Sequence, residues 1–160
     1  MKVKCHRYWP ESANTPLMVY DRIEVRLENY QNLENFSIRR ILMIDTETSE
    51  VHHVTQMNFA TWPDHSVPST SLPLLRYACH MRRIHDDRLP IVVHCSAGIG
   101  RTGTLITIDV ILGLIEHDEE FKVLNIVKGL RKQRQGMIQT KDQYTFCYKA
   151  ALEALKSVTT

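Results

Sequence analysis

The first half of the chain alternates. Val19, Ile23, Val25 and Leu27 are interleaved with Arg22, Glu24, Arg26 and Glu28, the two-residue period of a strand with one wet face. Residues 36–44 and 51–59 read as further strands, the latter stopping before the Trp62-Pro63 break. An antiparallel meander is the expected arrangement.

The second half changes period. Leu72, Leu75, Ala78, Cys79, Met81 and Arg82 fall near helical spacing, and this helix closes at Asp86-Asp87 before an apolar strand at 89–93. Residues 105–115, 121–130 and 144–155 predict three more helices, the last with Tyr144, Tyr148, Ala151, Leu152 and Leu155 on one face. The expected class is α/β (α+β), a twisted mixed sheet covered by helices. No repeat, low-complexity tract or linker divides the 160 residues, and a 43% hydrophobic content suffices for one core. Residues 1–160 therefore read as one domain.

Charge narrows the function. Twenty basic against 18 acidic side chains leave a formal +2, which does not suggest a nucleic-acid partner. Cys5, Cys79, Cys95 and Cys147 lie far apart without CxxC spacing, arguing for a reduced intracellular setting rather than a zinc or redox pair. His52-His53, and His80 with His85, lack a carboxylate or thiol at ligand spacing and read as surface histidines, so no metal is expected. The most apolar stretch, 105–115, is short and holds Asp109, whereas a bilayer needs about 20 apolar residues, so no membrane segment is expected. The N-terminus lacks the features of a signal peptide. The chain is expected to be cytoplasmic, or the cytoplasmic portion of a longer membrane protein.

The chemistry concentrates in residues 91–103, which read as a strand, a small-residue loop and a helix start. Backbone N–H groups from Ser96, Ala97, Gly98, Ile99 and Gly100 can converge on a dianion at the helix N-terminus, where orphan donors and the dipole favour negative charge. Cys95 at the entrance feels the same field, so its thiol should ionise below the free value of about 8.5. Arg101 adds a planar cationic fork suited to two phosphoryl oxygens and to the charge of a transition state.

His94-Cys95-Ser96-Ala97-Gly98-Ile99-Gly100-Arg101-Thr102-Gly103 resembles the signature loop of tyrosine-specific protein tyrosine phosphatases. A bare Cys-x5-Arg would be a weak match. Here Trp62-Pro63-Asp64 upstream and Gln139-Thr140-Lys141-Asp142-Gln143 downstream also resemble family motifs, in family order, and the stretch around Cys5-His6-Arg7-Tyr8-Trp9-Pro10 extends the similarity over essentially the whole chain. The resemblance implies Cys95 as nucleophile and Asp64, on a mobile loop, as the acid that protonates the departing tyrosine. It also implies Arg101 and the loop amides as the phosphate site, Gln139 orienting the hydrolytic water, and Gln143 assisting at the substrate. His94 would support the loop, and the Thr102 hydroxyl would stabilise the sulfur as it leaves. Neither metal nor organic cofactor is implied, and the partners are phosphotyrosine-containing proteins. After Asp64 the chain reads His65-Ser66 where the family often has an aromatic and a glycine, which touches the rate of loop closure.

Blander readings stand beside these. Cys5, Cys79 and Cys147 read as small buried hydrophobes. His94 reads equally as a core histidine bonded to backbone, and Thr102 as a first-turn hydroxyl bonding backbone. Thr140 to Gln143 also fits a capping box. Arg131, Lys132 and Arg134 read as a solvated helix face, or as a basic patch that draws in phosphorylated substrate.

Family catalytic domains are longer, and the resemblance begins after the tyrosine-bearing loop that walls the substrate cleft and after a glutamate that pairs with the loop arginine. The N-terminal part of the family domain is thus expected to be missing. Phosphotyrosine hydrolysis through cysteinyl-phosphate is the expected function, weakened by that absence. The alternatives are a dual-specificity phosphatase and a non-catalytic phosphotyrosine-binding or regulatory fragment.

Overall fold

The structure is a computed structural model that describes residues 5–63 and 66–158. It falls into two compact units, Met1–Thr61 and Trp62–Thr160.

The first unit is an antiparallel meander of β1 (Leu17–Val19), β2 (Ile23–Asn32), β3 (Phe36–Asp45) and β4 (Val51–Phe59), in that order. The alternation read as continuous from Val19 is broken by a tight turn. Tyr20 and Asp21 both take positive φ, 54° and 53°, and Arg22 N–H closes back onto the Val19 carbonyl at 3.2 Å. Two residues with positive φ make the primed turn whose twist suits a hairpin. Val25 and Leu27 are buried as the period requires, while Arg26 and Glu24 pair outside. A bulge after Leu27 shifts the register, so Glu28 is the extra residue and Asn29 faces Arg40. The β3–β4 turn is organised by Asp45, whose carboxylate accepts the Glu47 N–H and a forked pair from Arg22. The Arg22 hydrogen bond leads in lowering that carboxyl to about 2. Arg39 lies over the rings of Trp9 (5.1 Å) and Tyr30 (4.8 Å), tying the N-terminal stretch to the sheet.

The second unit holds α1 (Leu72–Ile84), α2 (Gly100–Glu116), α3 (Val123–Gln133) and α4 (Lys141–Val158). All four expected helices form. Helix α2 starts at Gly100, within the helix start read in residues 91–103 and five residues before the apolar run, because Gly100 to Thr104 carry no hydrophobic signal. The apolar run 89–93, expected as a strand, is not one: it makes no ladder pairing, and Leu89, Ile91 and Val92 are exposed, Val92 at 86%. A strand requires a hydrogen-bonded neighbour, and the described residues supply none here. All three strand pairings in the sheet are therefore antiparallel.

The face of α4 also differs from its pattern. Tyr148, Leu152 and Leu155 are exposed, and the buried side is Gln143, Phe146, Cys147, Ala150, Ala151 and Ala154. Alanines admit a close neighbouring backbone, and the larger apolar residues at this spacing are turned outward. On that inner side Ile111, Val123, Val127, Ile138, Cys147 and Ala151 form one cluster. The described helices include none long and apolar enough to cross a membrane.

Helix α2 and the segment before α4 meet at a close approach. Gly103 lies where an added Cβ would stand 2.6 Å from the Ile138 backbone nitrogen. Ile99 O accepts both the Gly103 N–H (3.1 Å) and the Ile138 N–H (3.0 Å). Gly103→Ala forces backbone apart there, and a loss of about 1–3 kcal/mol in unfolding free energy is expected from urea denaturation.

Candidate active site

The loop from Cys95 to Ile99 curls because Gly98 takes φ +68°, a conformation that costs a side-chain-bearing residue. The curl turns Gly98 N–H onto the Cys95 sulfur at 3.2 Å. Helix α2 begins at Gly100, so the sulfur sits at a helix N-terminus. Burial pushes the Cys95 thiol up. The Thr102 hydroxyl and the backbone N–H groups of Thr102, Gly98 and Ile99 outweigh burial and bring it down to about 7.

The Thr102 hydroxyl is buried and completes no hydrogen bond at ordinary distance, although it lies near enough to favour the Cys95 thiolate. Its first-turn backbone bond is therefore not made, and the neighbouring sulfur is the group it favours. Thr104 makes the backbone bond instead, donating to Gly100 O at 3.1 Å. His94 is exposed rather than in the core, with Nδ1 donating to the Cys95 carbonyl at 3.3 Å, which places a proton on Nδ1.

Arg101 projects from the first turn of α2. Its Nη2 donates to Pro63 O at 3.2 Å, and its guanidinium lies 5.8 Å from the centre of the Trp62 ring. The Trp62-Pro63 segment is thereby held beside the loop. Asp64, the expected acid, lies outside the described residues.

Gln139 and Gln143 arrive from the other side. Both side chains surround Gly100, whose added Cβ would stand 3.1 Å from Gln139 Oε1 and 3.0 Å from Gln143 Nε2. The capping box forms. Thr140 Oγ1 accepts the Gln143 N–H at 3.2 Å, and Gln143 Oε1 accepts the N–H groups of Thr140 (3.3 Å) and Gln139 (2.9 Å). Gln143 is thus committed to the start of α4, and Gln139 is exposed. Ile138 precedes them with φ +64°, an uncommon conformation for a β-branched residue, held by burial and by its N–H bond to Ile99 O.

Two arginines expected on a solvated face turn onto backbone instead. Arg131 donates to Met137 O and Ile138 O, both at 2.9 Å. Arg134 donates to Gly98 O (3.1 Å) and Ala97 O (3.3 Å). Their i, i+3 spacing at the end of α3, three and six residues before Met137, was the available signal. A cleft of about 700 Å³ uses the loop from His94 to Gly98 as one wall and Ile106, Leu130 and Met137 as an apolar floor. Arg101 and Gln139 are not in its lining.

The other thiols differ. Cys147 is buried, and burial pushes it up to about 12. Cys79, expected to be buried, is exposed, as is Cys5. Partial desolvation and then Glu116 still raise the Cys79 thiol. His53 bonds Glu28 at 3.2 Å on the surface, and the described residues contain no cluster of three or more His, Cys, Asp or Glu able to hold a metal.

The Protein-tyrosine phosphatase family model matches residues 1–153. The chain is 47% identical over 154 residues to human Tyrosine-protein phosphatase non-receptor type 13, covering 96% of this chain and 6% of that protein. It is 42% identical over 158 residues to human Tyrosine-protein phosphatase non-receptor type 20, covering 99% of this chain and 37% of that protein. The solved catalytic domain of human Protein Tyrosine Phosphatase non-receptor Type 18 superimposes with a TM-score of 0.86 at 32% identity, over 94% of this chain and 54% of that one.

The thiol environments set an order of reactivity. Iodoacetamide at pH 7 should label Cys95 ahead of Cys79 and Cys147. The Cys95 rate should rise with pH through about 7 and level off above it, because the thiolate is the reacting form. Peptide mapping checks the order, and vanadate should protect Cys95.

Proposed function

The chain belongs to the protein-tyrosine phosphatase family, and from that premise we propose that it hydrolyses phosphotyrosine in proteins through a cysteinyl-phosphate intermediate. The observation that carries this reading is the Cys95 sulfur, bonded by Gly98 N–H at the N-terminus of α2 and lowered to about 7. Cys95 attacks phosphorus, forming S–P as the P–O bond to the tyrosyl oxygen breaks, while Asp64 gives that oxygen its proton. The loop amides and Arg101 receive the phosphoryl oxygens. Water positioned by Gln139 then attacks phosphorus, Asp64 takes its proton, and the S–P bond breaks with Thr102 serving the departing sulfur. Arg101 is already bonded to Pro63, one residue before the acid, which supports a link between phosphate binding and the position of Asp64. Gln143 contributes through the backbone it caps.

The chain spans 37% or less of the two human relatives named above. The chemistry is proposed to be intact in this chain and its selectivity weak. A working thiolate favours a reducing compartment, so the proposed setting is the cytoplasm, either as a cytoplasmic protein or as the cytoplasmic portion of a longer membrane protein.

Asp64→Ala should slow aryl phosphates with poor leaving groups by roughly a hundred- to ten-thousand-fold and spare good ones, because only the former need protonation. Gln139→Ala should let phosphocysteine accumulate, seen by intact mass after acid quench. Unchanged rates and leaving-group dependence in both variants would sink the mechanism. Binding of phosphotyrosine without turnover by the wild-type chain would favour a regulatory fragment. Equal rates on phosphotyrosine and phosphothreonine peptides would favour dual specificity.

A further inference from the structure

We propose that Arg134 is a positioning residue that aims the Gly98 and Ile99 N–H groups at the Cys95 sulfur by holding the carbonyls on the opposite side of the same two peptide planes. The proposal rests on Cys95 being the nucleophile and adds the device that sets its loop. A trans peptide is planar, with its N–H and C=O pointing in opposite directions, so fixing one end fixes the other. The Ala97–Gly98 peptide presents its oxygen to Arg134 Nη2 at 3.3 Å and its N–H to the sulfur at 3.2 Å. The next peptide presents the Gly98 oxygen to Arg134 Nε at 3.1 Å, and its Ile99 N–H is among the groups that favour the Cys95 thiolate.

A loop containing Gly98 at φ +68° is free to rotate these planes, since glycine tolerates both signs of φ. A rotated plane would turn a carbonyl toward the thiolate and toward any bound oxyanion. The guanidinium fork prevents this with two donors at fixed spacing, a geometry that a lysine ammonium does not reproduce. Arg134 caps the end of α3, its own N–H bonded to Leu130 O at 2.9 Å, so the fork is anchored to the helix. Arg131, one turn earlier, grips Met137 and Ile138 in the same manner. The described charged or titratable groups beside the loop are His94 within it and Arg134 at the end of α3, with Arg101 on the first turn of α2 directed at Pro63 and Trp62. Of these, Arg134 is the one bonded to the far side of both N–H-bearing planes.

The experiment measures the pH dependence of iodoacetamide alkylation at Cys95 and the affinity for vanadate in the whole chain. Arg134→Met should lower the alkylation rate at pH 6 by roughly three- to tenfold, move the inflection upward and weaken vanadate by about tenfold. Arg134→Lys, which keeps the charge and serves one carbonyl, should fall between. Lys128→Met removes the same charge from an exposed position on α3 and should change neither quantity. A wild-type inflection and vanadate affinity in Arg134→Met overturn the proposal. Should that variant fail to fold by circular dichroism, a wild-type profile in Arg134→Lys overturns it equally. An ordinary thiol profile with no vanadate protection in the wild-type chain itself would instead sink the assignment of Cys95 as nucleophile.

Discussion

A half-buried thiol resists ionisation, and at Cys95 that resistance is overcome by N–H groups and one hydroxyl converging on the sulfur. Convergence depends on the direction of successive peptide planes in a five-residue loop, and three features of the second unit bear on that direction. Gly98 supplies the left-handed residue, α2 supplies the helix N-terminus, and Arg134 holds the carbonyl side. The same convergence would seat a phosphoryl dianion, because donors that favour a thiolate favour any anion in that space.

The segment between α3 and α4 is the second support. It passes Gly103 too closely for any side chain there, carries Ile138 in an uncommon backbone conformation, and is gripped by Arg131 at two carbonyls. Its reward is placement: Gln139 and Gln143 come to lie against Gly100 at the foot of the loop. The two glutamines then differ. The Gln143 amide oxygen is occupied by the N–H groups of Gln139 and Thr140, so its side chain holds backbone, whereas Gln139 is exposed.

Apolar surface is uneven around this machinery. Ile91 and Val92, in the stretch that leads into Cys95, are exposed and unpaired, while the cleft beside the loop has an apolar floor of Ile106, Leu130 and Met137. The residues that favour the anion are held by bonds within the loop, α2 and the end of α3. The approach to them is comparatively open.

The family and the candidate loop were legible in the residues themselves. A thiol, two glycines and an arginine at a helix start have few structural uses other than an anion site, and period-2 and period-3.6 patterns located the meander and four helices because burial of one face is a local demand on sequence. What only tertiary structure decided are the features that depend on a distant neighbour. Residues 89–93 have a strand's composition and no ladder, since pairing belongs to two segments and not one. The side of α4 with Phe146, Cys147 and three alanines is buried and the leucine side exposed, because the neighbouring elements, not the helix's own pattern, select the inner face. Arg131 and Arg134 carry the same letter whether they face water or grip a carbonyl. Arg131 reaches backbone only six and seven residues on, but the role of Arg134 was set by where the loop at 95–99 meets the end of α3, a distance that no spacing along the chain encodes.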